Sequence, residues 1–118
     1  MTARRRAWRA GRRAEAICVW HLRLRGYRVL ARGFRAPVGE IDIVARRGGT
    51  LVRVEVKARA SLGTAAEAVT ARQRQRIERA AEAFLARNPR LARLGLRFDA
   101  MLVAPRRWPM HIVDAWRP

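Results

Sequence analysis

The sequence predicts one α/β domain: a central mixed β-sheet flanked by helices, with elements in the order α-β-β-β-α-β-β. Three observations predict it. Two segments carry apolar residues at helical spacing, two strand-like segments are joined by Gly48-Gly49, and two more strand-like segments follow the second helix. At 118 residues, half of them hydrophobic, the chain can bury one real core but is too short for two domains.

Residues 1–9 contain Arg4, Arg5, Arg6 and Arg9 without an apolar period, and read as a flexible basic arm ahead of a single domain over residues 10–118. From about residue 10 to 25, Ala14, Ile17, Cys18, His21 and Leu22 fall on one helical stripe, and Gly26 stops the helix. Residues 27–35 have strand composition and end before Pro37 and Gly39. The stretch GEIDIVARRGGTLVRVEVKAR, residues 39–59, then reads as two strands around a two-glycine turn, a strong hairpin signal. Ser61, Gly63 and Thr64 mark residues 60–68 as loop and helix entry. The second helix spans about 71–87, with Ile77, Ala80, Ala81, Phe84 and Leu85 on its apolar stripe and Arg72, Arg76, Arg79 and Arg87 mostly off it; Asn88-Pro89 ends it. Residues 96–104 and 110–116 read as the last strands, separated by Pro105 and Pro109. Trp20 and Trp116 are expected in the core, while Trp8 and Trp108 are open to core packing or to stacking on bases beside arginines.

The charge points to a partner. The chain has 27 basic residues against 9 acidic ones, for a formal charge of +18. An alanine- and arginine-rich usage explains which base is chosen, not the threefold excess of base over acid. Solubility alone is the plainer explanation, yet it usually holds a small domain at a charge of roughly 2 to 8 in magnitude. The excess favours a polyanion, with DNA or RNA first, because phosphate neutralisation supplies most non-specific nucleic-acid affinity. No apolar run approaches the roughly 18 residues of a membrane span, and residues 14–24 are interrupted by Glu15, His21 and Arg23. No segment divides cleanly into the apolar and basic faces of an interfacial helix, so no membrane partner is expected. Cys18 is the single cysteine, which excludes an internal disulfide and a cysteine zinc cluster and fits a reduced, cytoplasmic setting.

The hairpin concentrates the chemistry. With Gly48 and Gly49 as the loop, Arg47 faces Thr50, Asp42 faces Glu55 and Glu40 faces Lys57. Strand alternation then puts Glu40, Asp42, Glu55 and Lys57 on one face, and Ile41, Ile43, Val52, Val54 and Val56 on the other, the expected core. Like charges directly opposed in a sheet are destabilising, so the Asp42–Glu55 pair needs a reason. Two carboxylates at that separation suit Mg²⁺ or Mn²⁺, hard ions that prefer oxygen ligands. Lys57, the only lysine among 27 basic residues, sits where an ammonium can orient water or stabilise charge on a phosphodiester oxygen. The alternative is a set of surface ion pairs in which Glu40 meets Lys57 and Arg53 relieves Asp42 and Glu55. Against it, three of the four acids in the first 60 residues crowd this one hairpin. Asp99 reads as the partner of Arg97, and His21 and His111 are too few and too separated to argue a histidine metal site. Ser61 and Thr64 lack the histidine and carboxylate that nucleophilic catalysis needs.

Asp42 followed by Glu55-Val56-Lys57 resembles the Asp and Glu-x-Lys core of the PD-(D/E)XK nuclease superfamily. The wider order of motifs, GRRAE, GEIDIVA, VEVKAR, VTARQRQRIERAA and RFDAML over residues 11–103, is similar to the YraN-like family, whose fold resembles archaeal Holliday junction resolvases. The resemblance implies a restriction-endonuclease-like fold and a metal-dependent nuclease that hydrolyses phosphodiester bonds in DNA, including branched DNA. Its roles would be Asp42 and Glu55 as Mg²⁺ or Mn²⁺ ligands, Lys57 as catalytic lysine, Glu15 as a further metal-binding acid, and Glu40 supporting them from behind. On the residues alone Glu15 is ambiguous, since a lone glutamate on a basic helix is more often an ion-pair partner of Arg12 or of the exposed neighbours of Val19 than a site residue. Arg12, Arg13, Arg59, Arg72, Gln73 and Arg76 are the expected nucleic-acid contacts, and a homodimer is among the expected assemblies. Two positions depart from the pattern: Ile41 stands where the superfamily has proline, and Gln73 where relatives often carry lysine. A binding accessory that keeps the fold without turnover is the second functional expectation, since function resides in the site and not in the fold.

Overall fold

A computed structural model describes residues 3–59 and 70–117, with side chains from residue 11 onward. The elements are α1 (Ala3–Leu24), β1 (Arg28–Ala36), β2 (Gly39–Arg47), β3 (Thr50–Ala58), α2 (Ala71–Arg87), a 3₁₀ turn (Pro89–Leu91), β4 (Gly95–Val103) and β5 (Met110–Trp116). This is the expected order. One boundary is corrected: α1 begins at Ala3, so residues 3–9, expected as an arm, are helical. Alanine and arginine are good helix formers, and nothing in that run breaks the helix. The expected loop around Ser61, Gly63 and Thr64 and the side chain of Trp8 lie outside the described residues.

The five strands lie side by side in chain order, with β3 and β4 parallel and every other neighbouring pair antiparallel. A parallel pair needs a crossover, and α2 stands in the segment between β3 and β4. Helices cover the sheet on both sides. Against α1, the residues Cys18, Val19 and Leu22 meet Ile43, Ala45, Val52, Val54 and Met101. Against α2, the residues Ile77, Ala80, Ala81 and Phe84 meet Ile41, Val44, Leu51, Phe98 and Leu102. Trp116 is buried, stacked on Phe98 at 5.2 Å, as expected of a core tryptophan. Trp20 is not: it is 64% exposed on the outer side of α1, with the Arg23 guanidinium over its ring. α2 starts with a capping box in which Thr70 and Gln73 satisfy each other's backbone N–H groups.

Two-sided burial corrects the expected one-faced hairpin. Val44, Leu51 and Arg53 lie on what was read as the polar side, yet all three are buried; the Arg53 guanidinium sits 3.3 Å from the centre of the Phe98 ring. Burial lowers the Arg53 pKa to about 10, against Glu78 and Asp99, which raise it. Ile41 also changes sides, packing with the α2 cluster while Ile43 packs with the α1 cluster. The alternation therefore breaks at Asp42. Opposite it on β1, Gly33 has φ 61°, a left-handed conformation that only glycine adopts freely.

Candidate functional site

The break at Asp42 builds the site. The β2–β3 ladder follows the expected register from Arg47↔Thr50 to Ile43↔Val54. Beyond it, the Asp42 carboxylate, in place of a strand carbonyl, accepts the Val56 N–H at 2.8 Å. That bond holds Asp42 against β3, where its carboxyl exchanges a hydrogen bond with Glu55. Lys57 Nζ lies 3.1 Å from Glu55 Oε1, and both side chains are nearly enclosed, at 12% and 11% exposed. Three of the expected site residues, Asp42, Glu55 and Lys57, are thus in one buried cluster.

The ion pairs differ from those of the surface alternative. Glu40 pairs with Arg35 at 3.5 Å in an exposed position, not with Lys57. Lys57 instead takes its sequence neighbour Glu55, and Arg53 is committed to Phe98 and to the Arg97 carbonyl. Burial pushes the Asp42 carboxyl up. Burial, reinforced by the Asp42 charge, pushes Glu55 up to about 8 even though Lys57 pulls the other way. In that state the proton resides on Glu55, which donates to Asp42.

Glu15 approaches from α1. It lines a cleft of about 560 Å³ together with Arg12, Arg32, Arg35, Glu40 and Asp42. Burial and then the Asp42 charge raise its pKa; Arg32, 3.9 Å away, and Arg12 lower it. Its Oε1 is buried without a hydrogen-bond partner. Glu15 thus feels the Asp42 charge across the cleft, although among the described residues no three His, Cys, Asp or Glu side chains close into a metal-sized group.

The expected nucleic-acid contacts divide. Arg12 lines the carboxylate cleft, while Arg13 and Arg59 line a larger one on the other side of α1. Arg72 and Arg76 are exposed on α2 and line neither cleft. Gln73 is occupied in the cap of its own helix, its side-chain oxygen accepting the Thr70 N–H at 3.1 Å.

One network went unread in the sequence. Asp99, fully buried, forms the expected pair with Arg97 at 2.8 Å, and also binds His111 Nε2 at 2.6 Å and the Asp114 N–H at 2.9 Å. Arg97 continues to the Tyr27 hydroxyl at 2.6 Å, and Arg25 reaches His111 Nδ1 at 3.1 Å. Burial pushes the Asp99 carboxyl up, but the bonds from His111, Arg97 and Asp114 outweigh it and hold the pKa below the usual range. In the β3–β4 ladder Asp99 pairs with the core residue Val54, a buried position where an acid needs several donors, and that register comes from the tertiary pairing and not from any local pattern.

Fold and site together define a mixed-sheet α/β protein with a buried Asp-Glu-Lys cluster at the β2–β3 hairpin. The chain belongs to the uncharacterised protein family UPF0102, which matches residues 14–103 and is the YraN family that the motifs resemble. It is 57% identical to a UPF0102 protein of Parvibaculum lavamentivorans over 112 residues, covering 95% of this chain and 84% of the relative. UPF0102 proteins of Paramagnetospirillum magneticum and Methylorubrum extorquens are each 55% identical, covering 98% and 97% of this chain and 92% and 90% of theirs. No described helix is long and apolar enough to cross a membrane.

Proposed function

We propose that the chain is a metal-dependent nuclease that hydrolyses DNA phosphodiester bonds, branched DNA included, at the Asp42-Glu55-Lys57 cluster. The observation that carries this reading is the Asp42–Val56 hydrogen bond, which sets a second carboxylate beside Glu55 and Lys57 at a cost in electrostatic repulsion. Burying two acids side by side, each pushed up by desolvation and Glu55 further by the Asp42 charge, is costly for stability alone, and such clusters mark functional sites.

The donor set fits a divalent cation. Two carboxylates offer hard oxygens, and Glu15, whose Oε1 has no hydrogen bond and only a long ion pair with Arg32, lines the same cleft as Asp42. Asp42 and Glu55 would hold Mg²⁺ or Mn²⁺, with Glu15 contributing from α1. When bound, such an ion supplies Lewis-acid stabilisation of charge on a phosphoryl oxygen. Glu55 must lose its proton for this role, and Lys57 at 3.1 Å favours that loss. Lys57 then has ammonium hydrogens with which to orient the attacking water and stabilise the developing oxyanion. Glu40, tied to Arg35 at the cleft mouth, shapes the field around Asp42 and touches no reacting atom.

The test presents linear duplex, single-stranded and four-way-junction DNA with Mg²⁺ or Mn²⁺ to the native protein, Asp42→Ala and Lys57→Ala. The expected result is cleavage by the native protein, reduced at least about a hundredfold in each variant, the scale typical of a lost electrostatic contact in catalysis. Cleavage that survives both substitutions overturns the site. Binding with no cleavage supports the accessory protein instead.

A further inference from the structure

The second cleft, about 710 Å³, lies on the other side of α1 from Asp42 and has no part in the chemistry above. Its floor is apolar, built from the carboxyl ends of the parallel strands β3 and β4. Crevices at such strand ends are common ligand sites in sheets of this kind. Arg13, Arg59, Arg106 and Arg107 surround the floor, and Trp108, 79% exposed, stands at its edge. Among the described residues, no acidic side chain lines it.

The segment Pro105-Arg106-Arg107-Trp108-Pro109 is shaped for presentation. Two prolines fix φ at its ends. Arg106 adopts φ 61°, a conformation unfavourable for a residue with a Cβ and often found at functional turns. The result leaves Arg106, Arg107 and Trp108 exposed in succession, with the Trp108 ring 6.4 Å from that of His21 on α1. A large exposed aromatic, four guanidinium groups and an apolar floor match a ligand with a flat ring and flanking negative charges.

We propose that this cleft takes an unpaired nucleotide of a DNA strand, its base stacked on Trp108 and its phosphates held by Arg13, Arg59, Arg106 and Arg107. The inference rests on the nuclease reading for its ligand and extends it to substrate selection. A base in a duplex is stacked and paired on both sides, so only a bulge, an overhang or a junction strand delivers a base to the ring. About two turns of α1, from Gly11 to Ile17, separate the two clefts, with Arg12 and Glu15 lining one and Arg13 and Ile17 the other. A helix is about 10 to 12 Å across with its side chains. That distance is on the order of three nucleotides of a stacked strand at about 3.4 Å each. The recognised base would therefore lie about three nucleotides from a phosphate held in the cleft beside Asp42.

The experiment uses the full chain with EDTA present, so that binding is read without cleavage. The probe is one duplex carrying 2-aminopurine either in a single-base bulge or paired within the same sequence. The native protein should bind the bulged DNA more tightly and quench its 2-aminopurine. Trp108→Ala should weaken that binding about tenfold, within the range for one base-aromatic stack. It should change paired-duplex affinity less than about twofold, and Trp108→Phe should restore the preference. The side chain is mostly solvated, so the fold does not depend on it. Equal losses on both probes, or none, overturn the proposal, as does an absence of DNA binding. Failure of the nuclease reading is separate: the preference for the bulge persists while no DNA is cut when Mg²⁺ or Mn²⁺ is supplied.

Discussion

Replacing Glu55 with glutamine tests the electrostatics of the site without touching its shape. In the metal-free protein, burial and the Asp42 charge move the Glu55 carboxyl from its ordinary 4.5 to about 8. A folded-state pKa above the unfolded one means that the proton favours folding. That stabilisation is complete below the unfolded value and is lost as pH rises through about 8. Each pKa unit is worth about 1.4 kcal/mol, so the rise from 4.5 to about 8 sets a ceiling of roughly 5 kcal/mol. Sharing of the proton with Asp42 and the polarisability of real protein interiors bring the expected loss to on the order of 2 kcal/mol. Urea unfolding in EDTA between about pH 6 and pH 9 reads it, since at an m-value of about 2 kcal/mol per molar such a loss moves the midpoint by about 1 M. The native midpoint should fall with pH relative to that of Glu55→Gln, which has no such proton to lose. Every other titratable group is common to the two proteins, so its contribution largely cancels in the difference. Parallel profiles would refute the buried, proton-sharing pair and with it the electrostatic case for the site.

Asp42→Asn keeps an acceptor for the Val56 N–H and should fold normally while losing cleavage, whereas Asp42→Ala should also lose about 1–3 kcal/mol in thermal or urea unfolding. Lys57→Arg should cut DNA no better than Lys57→Ala in a gel assay, because a guanidinium does not fit where the ammonium is 12% exposed beside Glu55. Gly39→Ala should lower the unfolding midpoint by the equivalent of about 1–3 kcal/mol or more, since a Cβ there would overlap the Arg76 carbonyl of α2, a backbone atom that cannot rotate away. Asp99→Ala should cost about 3–5 kcal/mol by leaving buried donors unpaired. Because the Asp99 pKa is depressed, the stability it lends is present at neutral pH and lost as pH falls through its folded value, so the native protein and the variant should converge in acid.

Much of this was legible because local signals agreed. Ile77, Ala80, Ala81 and Phe84 at helical spacing, with Asn88-Pro89 behind them, gave α2 its observed bounds, and Gly48-Gly49 fixed the hairpin register. That register brought Asp42 toward Glu55 before any coordinates. Period-2 alternation then misled, because it assumes an unbroken strand with one wet face. β2 and β3 are central strands covered by helices on both sides, so Val44 and Arg53 are buried where alternation put them outside. Trp20 erred the other way: an aromatic on an apolar helix looks like core, but the buried stripe of α1 runs through Ala14, Cys18, Val19 and Leu22. The Asp99 network was beyond reach, since it joins residues on Tyr27, β4 and β5 through tertiary contacts that no local pattern encodes.

The lone lysine follows from this geometry. Across the surface, any base can meet a phosphate, and the chain uses arginine there throughout. Inside the hairpin the requirement is narrower. Glu55 stands between two demands: Asp42 and burial favour its protonated form, while a role as ligand needs the anion. A compact ammonium at 3.1 Å, 12% exposed, favours the anion, and it meets Glu55 as a point charge where a guanidinium would meet it as a planar fork. In the proposed function the same ammonium, once Glu55 is engaged by a metal ion, would be free to donate to a phosphate oxygen at the cluster. The broken alternation at Asp42 makes both possible. Had the strand continued in register, the backbone would have satisfied Val56 N–H, and the Asp42 carboxylate would have had no reason to lie against β3.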